Sequence, residues 1–105
     1  MGMEHRWSER KNVAMDVTVH YDPIGEISGK TRDISLEGMF VVTDGVTIPS
    51  RAEVKVLFTT KDHGAEQSHC VPAYVVHNNE TGIGLMLRHS GYEDFYALRN
   101  MLRAA

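Results

Sequence analysis

The stretch Arg32-Asp33-Ile34-Ser35-Leu36-Glu37-Gly38-Met39-Phe40-Val41-Val42 runs out of one apolar strand and into another through a short polar corner. Asp33, Ser35 and Gly38 stand at i, i+2 and i+5. Side chains alternate between the faces of a strand, so i and i+2 share one. A carboxylate and a hydroxyl are thus offered side by side. Gly38 lets the chain turn with φ > 0 or lets a ligand approach the backbone. Asp and Ser also hydrogen-bond their own turns, so a tight β-turn is the alternative reading of the corner.

Outward from the corner, the apolar pattern keeps the period of strands. Val13, Met15, Val17, Val19 and Tyr21 alternate with Ala14, Asp16, Thr18 and His20, which predicts a half-buried strand over 13–21. Asp22-Pro23-Ile24-Gly25 is a turn, and a second strand is expected over 26–34. Beyond Gly38, a short strand over 39–43 ends at Asp44-Gly45. Val54, Val56 and Phe58 mark a strand over 53–60, and the polar segment 60–68 reads as an exposed loop. Strands are expected again over 70–77, where Pro72 implies an edge or a bulge, and over 83–88.

The period then changes. Ser90-Gly91-Tyr92-Glu93 has the form of a capping box, and Phe95, Leu98 and Leu102 follow at helical spacing. About six short strands with frequent turns indicate an all-β barrel or sandwich, closed by one terminal helix.

A chain of 105 residues is one domain with a single core. A net charge of −3 argues against a general DNA or RNA binder, which carries a basic face. Positive charge for an anionic ligand must be local, and Arg6, Arg10, Lys11 and Arg32 supply it. The lone Cys70 excludes an internal disulfide and suits a reducing compartment; in its apolar strand it reads as inert packing. No apolar run approaches the ~18 residues of a membrane span, and no signal peptide is visible, so a cytoplasmic protein without membrane insertion is expected.

Residues 1–12 are polar and without period, which predicts a flexible arm ahead of a domain over 13–105. The arm carries Arg6-Trp7-Ser8-Glu9-Arg10, two arginines four apart. Arg6-x-x-x-Arg10 followed by Asp33-x-Ser35-x-x-Gly38 resembles the paired signature of PilZ domains, bacterial receptors for cyclic di-GMP. The resemblance spans nearly the whole chain. It implies a six-stranded antiparallel β-barrel with a C-terminal α-helix, and cyclic di-GMP as the ligand.

The residue chemistry suits that ligand. Arginine pairs bidentately with phosphate or with guanine O6/N7, and its face stacks on a base. The Asp33 carboxylate accepts from the guanine ring N–H and amino group, and Ser35 adds a small donor and acceptor. The resemblance assigns Arg6, Arg10, Asp33, Ser35 and Gly38 to the ligand, with His5, Lys11 and His77 as further contacts. For His77 a solvent-facing strand position is the equal alternative. His5 stands where many relatives carry another arginine or an apolar residue.

No four-ligand metal set appears among the six histidines and Cys70, and no nucleophile motif or phosphate loop is present, so neither metal, cofactor nor enzyme is expected. The expected activity is a cyclic di-GMP receptor acting on an unidentified protein effector in trans, through ordering of its arm by the ligand. The alternative is a protein-interaction adaptor of the same fold without nucleotide binding.

Overall fold

Alternating valines, isoleucines and leucines build six strands, and the change of period near the C-terminus builds one helix. The computed structural model describes residues 10–62, 64–88 and 92–104. The strands are β1 (Asp16–Tyr21), β2 (Gly25–Ile34), β3 (Gly38–Val42), β4 (Glu53–Asp62), β5 (Ala65–Asn78) and β6 (Gly82–Leu87). The helix α1 spans Tyr92–Ala104. Every pairing is antiparallel, and the order β1-β2-β3-β6-β5-β4 closes on itself because β4 returns to β1. The all-β expectation therefore resolves to a barrel.

Closure follows from which face each strand can bury. Val17 and Val19, Val54, Val56 and Phe58, Val71, Ala73 and Val75, and Ile83, Leu85 and Leu87 all point inward. Each of these side chains other than Ala73 contributes about 1.5–3 kcal/mol when taken from water. Outside the strands, Ile48 of the segment between β3 and β4 and the helix α1 add to this core. Leu98 and Leu102 of α1 are buried in the same core, while Tyr96 stays exposed.

Three differences from the sequence reading have local causes. β1 begins at Asp16, not at residue 13, because residues 13–15 bond to Thr31 of β2. The expected loop 60–68 is instead the far end of a hairpin in which β4 and β5 pair up to Asp62↔Ala65. Pro72 stands at the expected edge and not at the bulge: β6 pairs with β5 only from Ala73 onward, so the missing N–H interrupts no ladder. Cys70 faces out and is exposed.

Lys11 and Ile34 exchange both backbone hydrogen bonds, at 2.8 and 2.9 Å, so the chain is tied to the sheet one residue after Arg10. Residues 1–9, and with them Arg6 and His5, lie outside the described residues, as does Ser90 of the capping box.

Candidate functional site

Two bulges shape the outer face of the barrel. In β2, Ile27 and Thr31 point inward, and strict alternation would send Asp33 the same way. The ladder with β3 instead steps from Thr31↔Val41 to Asp33↔Phe40, leaving Arg32 as an extra residue. Ile34 then takes the inner face and Asp33 the outer one. β5 repeats the device against β6: the ladder steps from Val75↔Leu85 to His77↔Gly84, with Val76 extra, so His77 also turns outward. Bulges re-aim side chains in this way at many functional sites.

The two re-aimed residues share one cross-strand row. Asp33 pairs with Phe40, Phe40 with Gly84, and Gly84 with His77. Three strand spacings put the ends of the row about 14 Å apart. Phe40 is buried although it belongs to the outer face, because side chains cover it on both flanks. The Arg32 guanidinium lies 4.0 Å above its ring, and the His77 ring lies 5.9 Å away at a 32° tilt. Gly84 makes room for that arrangement: a Cβ there would come within 2.6 Å of the His77 ring.

At the other end of the row, Asp33 gathers two arginines. Arg32 Nε donates to Asp33 Oδ2 at 3.1 Å. Arg10 Nε stands 2.9 Å from Oδ1, a charge contact that misses hydrogen-bond geometry. Oδ1 is buried, and among the described residues no donor hydrogen-bonds to it. Asp33 is thus a buried carboxylate with unused acceptor capacity, whereas the Arg10 side chain is 54% exposed. Buried acceptors are nearly always satisfied, which makes Oδ1 a place to look for a ligand donor.

Ser35 and Gly38 have structural work of their own. Ser35 Oγ accepts the N–H groups of Glu37 and Gly38 at 3.1 and 3.2 Å, and Arg10 Nη1 reaches it at 3.5 Å. The Ser35 N–H donates to the Gly38 carbonyl at 2.8 Å, closing the corner. The turn reading thus applies at this residue, and its hydroxyl also lies within reach of Arg10. Gly38 is not at positive φ. What requires glycine is the approach of β6: a Cβ would sit 2.4 Å from the Leu85 carbonyl oxygen.

Of the residues singled out in the sequence, Arg10, Asp33, Ser35 and Gly38 come together at this corner. Lys11 flanks it through its backbone bridge, and His77 stands at the far end of the row. The sequence reading missed Phe40 as the platform between Asp33 and His77. Its one signal was a large aromatic at the outward position between buried Met39 and Val41. Among the described residues no group of three or more His, Cys, Asp or Glu side chains is placed to hold a metal ion. No described helix is long and apolar enough to cross a membrane.

The family model for the PilZ domain matches residues 4–102. No curated protein matches the sequence. Among solved structures, the Bacillus subtilis inhibitor of motility (MotI/DgrA) superposes with a TM-score of 0.75 at 20% identity, over 96% of this chain. The chain spans about half of that protein, 53% of its length. The PilZ domain of CeSA from a cellulose-synthesizing bacterium gives a TM-score of 0.72 at 16% identity, over 92% of this chain and 97% of the other. At these identities the two structures share the fold.

Proposed function

The chain belongs to the PilZ domain family, and on that premise we propose that it is a cyclic di-GMP receptor signalling to a protein effector in trans. The observation that carries the reading is the buried Asp33 Oδ1, which has the Arg10 guanidinium beside it and no hydrogen-bond donor among the described residues. A guanine edge supplies adjacent ring N–H and amino donors to such a carboxylate. Arg10, half in solvent, pairs with phosphate or with guanine O6/N7 and stacks on the base. Arg6 joins it from the arm. His5 and Lys11 add contacts from the same segment.

Ser35 and Gly38 keep the corner in shape for this ligand. His77, braced on Phe40, offers a ring face for a base at the far end of the row. On this reading the ligand brings residues 1–9 onto the barrel, and the surface so formed is what the effector recognises. Ordering each residue costs roughly 1–2 kcal/mol of backbone entropy, so ligand contacts must offset that cost. The protein works in the bacterial cytoplasm, needs no cofactor and catalyses no reaction.

One observation favours the rival adaptor without nucleotide. Arg10 and Asp33 already neutralise one another, and an ion pair can be an end in itself. Isothermal titration separates the two. The receptor binds cyclic di-GMP and discriminates against cyclic di-AMP and GTP, because a site built on buried hydrogen bonds rejects mismatched edges strongly. Equal affinity for both dinucleotides, or none for either, sinks the receptor reading.

A further inference from the structure

The β4–β5 hairpin runs on past the barrel. β4 pairs with β5 along its whole length, but with β1 only at Lys55, Val56 and Leu57. β5 meets β6 only from Ala73 onward. The far half of the hairpin is a two-stranded ribbon, exposed at Thr59, Lys61, Glu66, Gln67 and Ser68.

Pro72 reveals which backbone groups the ribbon leaves bare. In an antiparallel strand the N–H and C=O of one residue point to the same side, and the side alternates along the chain. The Pro72 carbonyl accepts from Arg88 N–H at 2.8 Å, so Pro72 faces β6 and its partner Lys55 faces β1. Leu57 then faces Thr18, the last rung of the β1–β4 ladder. Thr59 and Lys61 face the same way one and two rungs further on. Among the described residues no backbone group pairs with them on that side.

β1 leaves this gap because its approach is drawn elsewhere. Thr31 Oγ1 accepts from Met15 N–H at 2.8 Å and donates to the Val13 carbonyl, while Thr31 N–H donates to the Met15 carbonyl at 2.9 Å. Residues 13–15 are held on β2 and away from β4. Between them and the β4 edge lies a cleft of about 1080 Å3, which α1 borders through Asp94 and Met101. His69 braces its wall: Nε2 contacts Thr60 Oγ1 at 2.9 Å and Nδ1 contacts Asp94 Oδ1 at 2.8 Å, joining ribbon to helix.

We propose that this cleft accepts an extended segment of a protein partner, added as a new strand to the β4 edge. A bare edge is complementary to another backbone, and strand addition is a recurrent mode of peptide recognition. Alternate side chains of the added strand would face Met15 and Met101 and would be apolar; those between would lie beside Lys61 and would be acidic or hydroxylic. The His69 brace keeps the cleft formed before binding, which spares the partner an ordering cost. A second copy of this chain is the wrong shape, since its β4 arrives with β5 attached and β5 would meet residues 13–15. The cleft's lining includes none of Arg10, Asp33, Ser35 and Gly38, so the inference does not depend on the nucleotide reading.

The experiment selects linear decapeptides from a random phage library on the purified protein, without nucleotide. Selected peptides should shift the amide signals of Thr59, Lys61 and residues 13–15. Methylating alternate peptide amides should weaken binding by about tenfold or more, since each methyl removes a backbone donor from the edge. Lys61→Pro should weaken it comparably with no change in melting temperature, because only an outward N–H is removed. The N-methyl series needs no variant to fold. Selection that yields no peptide, peptides indifferent to N-methylation, or shifts confined to other surfaces would overturn the proposal.

Discussion

Arg10 and Asp33 are brought face to face by their chain neighbours, since Lys11 and Ile34 form a bridge of two backbone hydrogen bonds beside them. Backbone pairing by itself thus accounts for the two side chains standing opposite one another. Removal of either side chain should leave the bridge in place.

Arg10→Ala and Asp33→Ala should each weaken cyclic di-GMP binding by about 2–5 kcal/mol, the range for truncating one member of a buried charge pair. Arg10→Ala should cost about 1 kcal/mol or less of stability, because the side chain is half exposed and Asp33 keeps its bond from Arg32. Titration and thermal melts of the two variants check both statements. Melting of the Arg10 variant well below the parent would show that the ion pair, not the bridge, holds the segment.

Gly38→Ala should be more damaging than Gly45→Ala. The first drives a methyl to 2.4 Å from the Leu85 carbonyl, a backbone atom that cannot step aside, and should cost about 3 kcal/mol or more. The second has open space around it and only a positive φ of 75° against it, a penalty of about 1 kcal/mol. Urea midpoints of both variants give the comparison.

Asp94→Ala should loosen α1 before it loosens the barrel. It deletes the helix end of the Thr60–His69–Asp94 chain and should cost about 1.5–3 kcal/mol. Hydrogen exchange should rise in α1 and in the ribbon while β3 and β6 stay protected. A uniform rise across all strands would mean that helix and barrel unfold as one unit.

Amide exchange of residues 1–9 should slow on addition of cyclic di-GMP and stay unchanged with cyclic di-AMP. Affinity should fall with added salt, since the positive charge is local and the chain as a whole is acidic, and random single-stranded RNA should not bind at physiological salt. Exchange in that segment that is equally slow with and without the ligand would remove the proposed signalling step.

Much of this architecture was legible because half-buried strands write their period into the chain. Val17 and Val19, Val54, Val56 and Phe58, and Ile83, Leu85 and Leu87 alternate and are buried accordingly. The ribbon beyond Thr60 was illegible for the same reason: with Lys61 and residues 64–68 exposed it has no apolar alternation to show, and its polar residues with Gly64 imitate a loop. The corner residues Asp33, Ser35 and Gly38 stood out by type and spacing. Their physical reasons did not, since the approach of Leu85 to Gly38 and of His77 to Gly84 depends on which strands become neighbours. Nor do bulges announce themselves, so nothing in the sequence put Asp33, Phe40 and His77 in one row.

Each bulge also sets two consecutive side chains on one surface, which a regular strand forbids: Arg32 beside Asp33, and Val76 beside His77. This makes the barrel sensitive to residue count in an uneven way. Deleting Arg32 would absorb the bulge and keep the reading frame of both flanks, with Thr31 still against Val41 and Asp33 still against Phe40. Deleting Lys30 instead would set Thr31 outward and swing Arg32 toward the apolar interior. Loss of a residue at the bulge is thus the one shortening of β2 that reverses the direction of no remaining side chain.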